Sequence, residues 1–145
     1  MKKLTILAMV VFAIVFTQNV YAQMPESTLV HITKLKQKHP ENGNPAERDS
    51  LIAIYVQNVI MKNPLILSHR EYSHFFTDDN RDYLIIEEYK DFDSWVKANE
   101  MMEDLEKKAW PDEKKRNEFM DAMEKYFEDW HGDMLMRYNS KCSKN

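Results

Sequence analysis

Three groups of residues in this chain have the types and spacing to do chemistry. His69 and Glu71 stand two apart in a stretch rich in aromatic and aliphatic residues. On a strand they share a face and could offer two ligands to a metal. A site needs at least a third, and neither HxH nor HExxH occurs, so no metal centre is assigned. Polar residues on an edge strand facing water are the competing explanation. His131 and Asp133 repeat the spacing. A carboxylate on the same face as an imidazole can orient it as a general base, which makes this pair the catalytic candidates. The alternative is a histidine at a helix C-terminus, facing the last carbonyls. Tyr83, Glu87 and Tyr89 alternate on one face of a third stretch. With His31 and Thr33 they are the ligand-binding candidates, lining a cavity beneath helices or between two copies of the chain. Satisfied partners at an interface would use the same residues.

Other chemistries find little support. The only glycines are Gly43 and Gly132, which rules out GxGxxG and GxxxxGK[ST] phosphate loops. Cys142, the single cysteine, lies three residues from the end and has no intramolecular partner for a disulfide. Met101, Met102, Met120, Met123, Met134 and Met136 could suit soft metals, but their helix and strand spacing reads as core filling.

The elements that must hold these residues follow from pattern. Leu29 to Leu35 is β-rich and reads as strand one. His39 to Pro45 is dense in breakers. From Pro45 the apolar residues recur at helical spacing through Leu51, Ile52, Tyr55, Val59 and Ile60, until Asn63-Pro64 stops them. Leu65 to Phe76 reads as strand two, Thr77 to Asn80 as a turn, and Asp82 to Tyr89 as strand three. Asp91 or Asp93 caps the next helix, whose face is Trp95, Ala98, Met102 and Leu105 and which Trp110-Pro111 breaks. Pro111, Asp112 and Glu113 open a further helix. Its stripe runs Phe119, Ala122, Met123, Tyr126, Phe127 and Trp130 to a stop at Gly132, leaving Met134 to Tyr138 as a short last strand.

The order is β-α-β-β-α-α-β. It predicts an α+β, ferredoxin-like fold: a four-stranded antiparallel sheet with helices on one face, the second helix broken in two. Strand three is apolar on both faces, Leu84 and Ile86 on one, Tyr83, Ile85 and Tyr89 on the other. Helices cover only one. The bare face predicts a homodimer built sheet to sheet, which a carboxylate at Ile85 would break.

The N-terminus predicts a destination. Lys2 and Lys3 precede an apolar run from Leu4 to Phe16, and Val20-Tyr21-Ala22 precedes Gln23. This is a signal peptide over residues 1–22 with cleavage after Ala22. Thirteen apolar residues fall short of the ~20 that span a bilayer. The working domain is then residues 23–145, exported to a periplasm or secreted, with no membrane association after cleavage. Loss of the two lysines takes the net charge from −4 to about −6, which disfavours nucleic acid and anionic membranes as partners.

Asp82-Tyr83-Leu84-Ile85-Ile86-Glu87-Glu88-Tyr89, running into Phe92-Asp93-Ser94-Trp95, resembles the third strand and second helix of the dimeric α/β-barrel superfamily of ferredoxin-like proteins. His131-Gly132-Asp133 before the last strand is similar too. The resemblance covers roughly residues 27–139 and rests on element order. The superfamily includes antibiotic-biosynthesis-type monooxygenases and stress-responsive barrel proteins. It implies a dimeric barrel and a role ranging from cofactor-independent or haem-handling oxygenase to a protein without catalysis. The first expectation is an exported, dimeric domain binding a small apolar ligand without a cofactor. The alternatives are a monooxygenase-like enzyme, with haem as its possible cofactor, and an interaction module using the bare sheet face. Sequence names neither a ligand nor a pathway.

Overall fold

Breaker residues and caps divide the chain much as its pattern predicts. The computed structural model describes residues 28–142; the signal peptide expected over residues 1–22 lies outside them. Strand β1 is Leu29–Gln37, helix α1 Pro45–Asn58, β2 Ile66–Ser73, β3 Asp82–Tyr89, α2 Phe92–Ala109, α3 Glu113–Glu124 and β4 Phe127–Arg137. Each of these three α-helices starts on a side-chain cap. Asn44 accepts from the Glu47 amide, Asp91 from Ser94 and Asp112 from Lys115, satisfying amides that helix geometry leaves free.

The strands form one antiparallel sheet in the order β2-β3-β1-β4. Ile52 and Tyr55 of α1, Met102 of α2 and Met123 of α3 face the same side of it as Leu35 and Ile85. The helices are tied to one another above that side. Trp110 stacks on Phe119 at 4.3 Å and on Tyr55 at 6.4 Å between ring centroids. The buried Asn63 amide donates to the Ala98 carbonyl at 3.0 Å. The Asn44 amide donates to Tyr126 Oη at 3.1 Å, and that hydroxyl donates to Glu47.

The other side of the sheet is open. Opposed residues share a face, and the register places Ile32 between Ile86 and Met134, and Val30 beside Met136. Leu84 and Tyr72 adjoin them. Met134, Met136, Tyr72 and Trp130 are exposed. Charges flanking the patch are already paired: Lys36 with Asp82 at 2.5 Å and Asp79 at 2.9 Å, Lys34 with Asp82 at 3.1 Å, and Arg70 with Glu88 at 2.8 Å.

The structure corrects several expectations. The final helix stops at Glu124, and the last strand begins at Phe127 rather than Met134. Tyr126, Phe127 and Trp130 fit a helical stripe by spacing. Pairing along β1 from Leu29 to Gln37 nevertheless makes the stretch a strand. His131 is therefore a strand residue, and its helix-terminus alternative falls. The first helix gives way after Asn58 to a 3-10 turn at Ile60–Lys62. Strand β2 ends at Ser73; Phe75 and Phe76, expected within it, sit in the hairpin loop, 97% and 95% exposed. Ile85, where a charge was expected to break a dimer, faces the helices; Leu84 and Ile86 face outward. No helix among the described residues is long and apolar enough to cross a membrane.

Candidate functional site

Register builds the site. His69 on β2 lies directly opposite Glu87 on β3, and Glu87 lies opposite His31 on β1. One position along, Thr33 on β1 opposes Asp133 on β4. Four strands thus contribute one row of polar side chains to the face beneath the helices. His69 Nδ1 meets Glu87 Oε1 at 2.9 Å, and its Nε2 meets Glu71 Oε1 at 2.8 Å. Both nitrogens of an imidazole can donate only when it is protonated, so His69 stands as an imidazolium between two carboxylates. His31 Nε2 meets Asp133 Oδ1 at 3.0 Å, while its Nδ1 faces Glu87 Oε2 at 3.7 Å, an ion-pair distance. Thr33 donates to Asp133 at 2.9 Å. Tyr89 donates to Glu87 at 2.6 Å, and Tyr83 donates to Glu71.

The row is largely shielded. The His31, His69 and Glu87 side chains are 12–13% exposed. Burial disfavours charge on His69, but hydrogen bonds to Glu71 and Glu87 outweigh it and push its pKa up to about 9. Burial likewise opposes ionisation of Glu87, yet His31, His69 and Tyr89 bring it down to about 2. His31 is raised by the Glu87 carboxylate first, against burial, and then by Asp133. Burial, then hydrogen bonding to the neighbouring carboxylates, raises the Tyr55, Tyr83 and Tyr89 hydroxyls well above the usual phenol range. These hydroxyls keep their protons and act as donors.

Between this row and the helices lies a cavity of about 590 Å³. Its walls are apolar, with Leu35, Ile52, Ile60, Ile85, Met102 and Phe127; His69, Glu71 and Glu87 form its polar side. A second hollow adjoins it, sharing Thr33, Leu35 and His131 and adding His31, Trp95 and Asp133. The Trp95 ring stands edge-on to His31 at 5.7 Å. Its indole N–H is buried without a hydrogen-bond partner, a rare state for a buried donor.

The structure gathers His31, Thr33, Glu87, Tyr89 and Asp133 into one network. Tyr83 joins it through Glu71. Tyr89 is fully buried and supports Glu87 from behind. His131, 56% exposed, reaches Asp133 Oδ2 at 3.1 Å from the seam of the two hollows. His69 and Glu71 do not face water; they are central to the site. Their period-two spacing was the available signal, and only cross-strand register adds Glu87. Tyr55, Trp95 and Asn99 entered through the helices and carried no such signal.

No group of three His, Cys, Asp or Glu among the described residues is placed to hold a metal ion. The two shielded imidazoles are engaged in this arrangement. Each has both ring nitrogens turned to carboxylates.

No family model matches the chain, and no curated protein resembles it in sequence. Solved structures share its fold. A variant of SnoaB, a cofactor-independent oxygenase from Streptomyces nogalater, matches with TM-score 0.50 at 15% identity, over 81% of this chain and 98% of that one. A dimeric ferredoxin-like protein of unknown function from Thermobifida fusca gives 0.49 at 10% identity, over 83% and 97% of the two chains. A DABB-family protein with a ferredoxin-like fold from Mesorhizobium loti gives 0.49 at 9% identity, over 76% and 95%. The strand order β2-β3-β1-β4 with helices on one side is itself ferredoxin-like, and at such identities the SnoaB match bears on the fold alone and leaves the chemistry to the residues themselves.

Proposed function

We propose that this chain is a small-molecule-binding domain whose ligand lies between sheet and helices, and that it works as an exported homodimer joined through its open sheet face. The cavity carries the reading. Its volume of about 590 Å³ suits a ligand of drug-like size, and apolar walls with a few convergent polar groups are what such sites use. The ionic row supports it further. Buried ion pairs stabilise no better than well-packed apolar residues, so stability alone gives no reason to build one against a hollow. The dimer rests on the open face of Val30, Ile32, Leu84, Ile86, Met134 and Met136. Covering several hundred Å² of such surface at ~25 cal/mol per Å² favours association by many kcal/mol.

Calorimetric titration with 1-naphthaleneethanol, a neutral bicyclic alcohol, tests the cavity. Binding is expected, together with its loss in a Met102→Trp variant that fills the hollow and still melts cooperatively. Unchanged binding in that variant would contradict the reading. Export has its own test. Mass spectrometry of protein from the native host is expected to find a chain beginning at Gln23, and a mature form retaining Lys2 and Lys3 would refute it.

A second reading follows from SnoaB, whose chain is matched over 98% of its length: a cofactor-independent, monooxygenase-like enzyme using the same cavity. The His131–Asp133 pair, at 3.1 Å on the cavity rim, would serve it as a base. Oxygen uptake with 1,5-dihydroxynaphthalene, a fused-ring phenol, lost in His131→Ala, would favour this reading. No uptake across a series of such phenols would reject it.

A further inference from the structure

We infer that the cavity selects a cationic, hydrogen-bond-donating ligand, an amine carried on an apolar or aromatic body, and turns away carboxylates and phosphates. The inference rests on the cavity being a ligand site, as proposed above. Its own basis is an inventory of donors and acceptors around the hollow.

The fixed donors on the polar side of the cavity are already engaged. His69 gives one N–H to Glu71 and the other to Glu87. Tyr83 donates to Glu71, Tyr89 to Glu87 at 2.6 Å, and Tyr55 to Glu106 at 2.8 Å. Thr33 donates to Asp133 at 2.9 Å. What remains is acceptor capacity. An ionised carboxylate has about four lone-pair positions, and His69 with Tyr83 fills two on Glu71. A ligand entering here meets oxygens that can still accept and no shielded N–H free to give. The exceptions stand at the far side: the Trp95 indole N–H, which is buried although the residue lines the adjoining hollow, and exposed His131 at the seam.

Charge points the same way. Glu71, Glu87, Glu124 and Glu128 line the main cavity, with Asp129 fully exposed beside them, and no lysine or arginine lines either hollow among the described residues. Glu128 and Asp129 have outward partners, Arg81 at 2.6 Å and Lys38 at 3.3 Å. Inside, Glu71 and Glu87 share His69, and Glu87 also faces His31, which is held by Asp133. The three carboxylates outnumber the two shielded imidazoles, and the only further imidazole on the row is exposed His131, 3.1 Å from Asp133. Arg48, whose guanidinium is close enough to act electrostatically on Tyr83, is held by Gln37 at 2.5 Å and Asp49 at 2.7 Å. An anionic group would therefore sit beside like charge with nothing to bind. An ammonium would gain both charge-assisted hydrogen bonds and the aromatic faces of Tyr55 and Phe127.

Three probes of one shape test this by calorimetry at pH 7: 2-(1-naphthyl)ethylamine, 1-naphthaleneethanol and 1-naphthylacetate. The amine is expected to bind best, the alcohol next, and the acid at least tenfold more weakly than the amine. Raising the salt concentration should weaken the amine and leave the alcohol unchanged. Glu71→Gln should narrow the gap between amine and alcohol while the alcohol still binds. An acid that binds as tightly as the amine would overturn the inference while leaving the cavity reading intact. So would an amine affinity that ignores both salt and Glu71→Gln. If none of the three binds, the cavity reading fails and takes this inference with it.

Discussion

The two faces of this sheet invert the usual arrangement. The face roofed by helices carries His31, Glu87, His69, Glu71 and Asp133; the face open to solvent carries Val30, Ile32, Leu84, Ile86, Met134 and Met136. In an ordinary single-layer α+β domain the roofed face would be the apolar one. Charges are disfavoured under the helices unless they are paired, and here they are paired in a row with a hollow left above them. Apolar side chains are disfavoured in water unless something covers them. On the reading proposed above, the covered face is organised around a ligand and the open face around a second subunit.

Breaking the open face should give the largest effect. Ile86→Asp would bury an unpaired carboxylate in the dimer, a penalty of several kcal/mol, so the dissociation constant should rise about a thousandfold. Sedimentation at micromolar concentration is expected to show dimers for the parent and monomers for the variant. A parent that is already monomeric would show that the face is covered by another partner. Glu113→Lys, on the outer helix, should change nothing.

Breaking the covered face comes next. Glu87→Ala leaves two shielded imidazoles without their shared carboxylate, at a loss of about 3–4 kcal/mol in chemical denaturation. Replacing the three together, Glu87→Leu with His31→Phe and His69→Phe, should recover most of that loss and still abolish ligand binding. Such a split would separate function from stability. A triple variant as unstable as the single one would mean that the row serves the fold.

The same row predicts a pH dependence of the parent. His69 is raised from 6.5 to about 9, so between those values the native state holds a proton that the unfolded chain releases. Its contribution is complete below about pH 6.5 and is lost as pH rises through 9, at most about 3 kcal/mol. On the acid side Glu87, lowered from 4.5 to about 2, contributes stability above 4.5 that is lost as pH falls through 2. Both describe one ion pair from its two ends and do not add. NMR titration of the His69 ring should place its midpoint well above neutrality; a midpoint near 6.5 would remove the imidazolium from the account.

The elements were readable where local signals agreed. Strand β3 was legible from Asp82 to Tyr89 because turn residues precede it and the Asp91 cap follows. Around Phe127 the helical spacing of the apolar residues misleads, and only pairing with β1 reveals the strand. The site was half legible for a related reason. Spacing within a strand pairs His69 with Glu71 and His131 with Asp133. The meeting of His69, Glu87 and His31 depends on the register of three strands, which no local pattern encodes. For the same reason sequence alone did not say which face the helices cover, and Ile85 was assigned to the wrong one.

His131 offers the smallest effect and a sharp one. It is exposed at the rim, so His131→Ala should leave stability within about 0.5 kcal/mol while weakening ligand binding. Binding equal to the parent's would remove it from the site.

The contrast between the faces is tested most directly by mapping a ligand onto them. In an NMR titration of the labelled protein with 1-naphthaleneethanol, the largest amide shifts should fall on Glu71, Ile85, Glu87 and Met102, beneath the helices. Shifts centred on Ile32, Ile86 and Met134 would put the ligand on the open face and contradict the account.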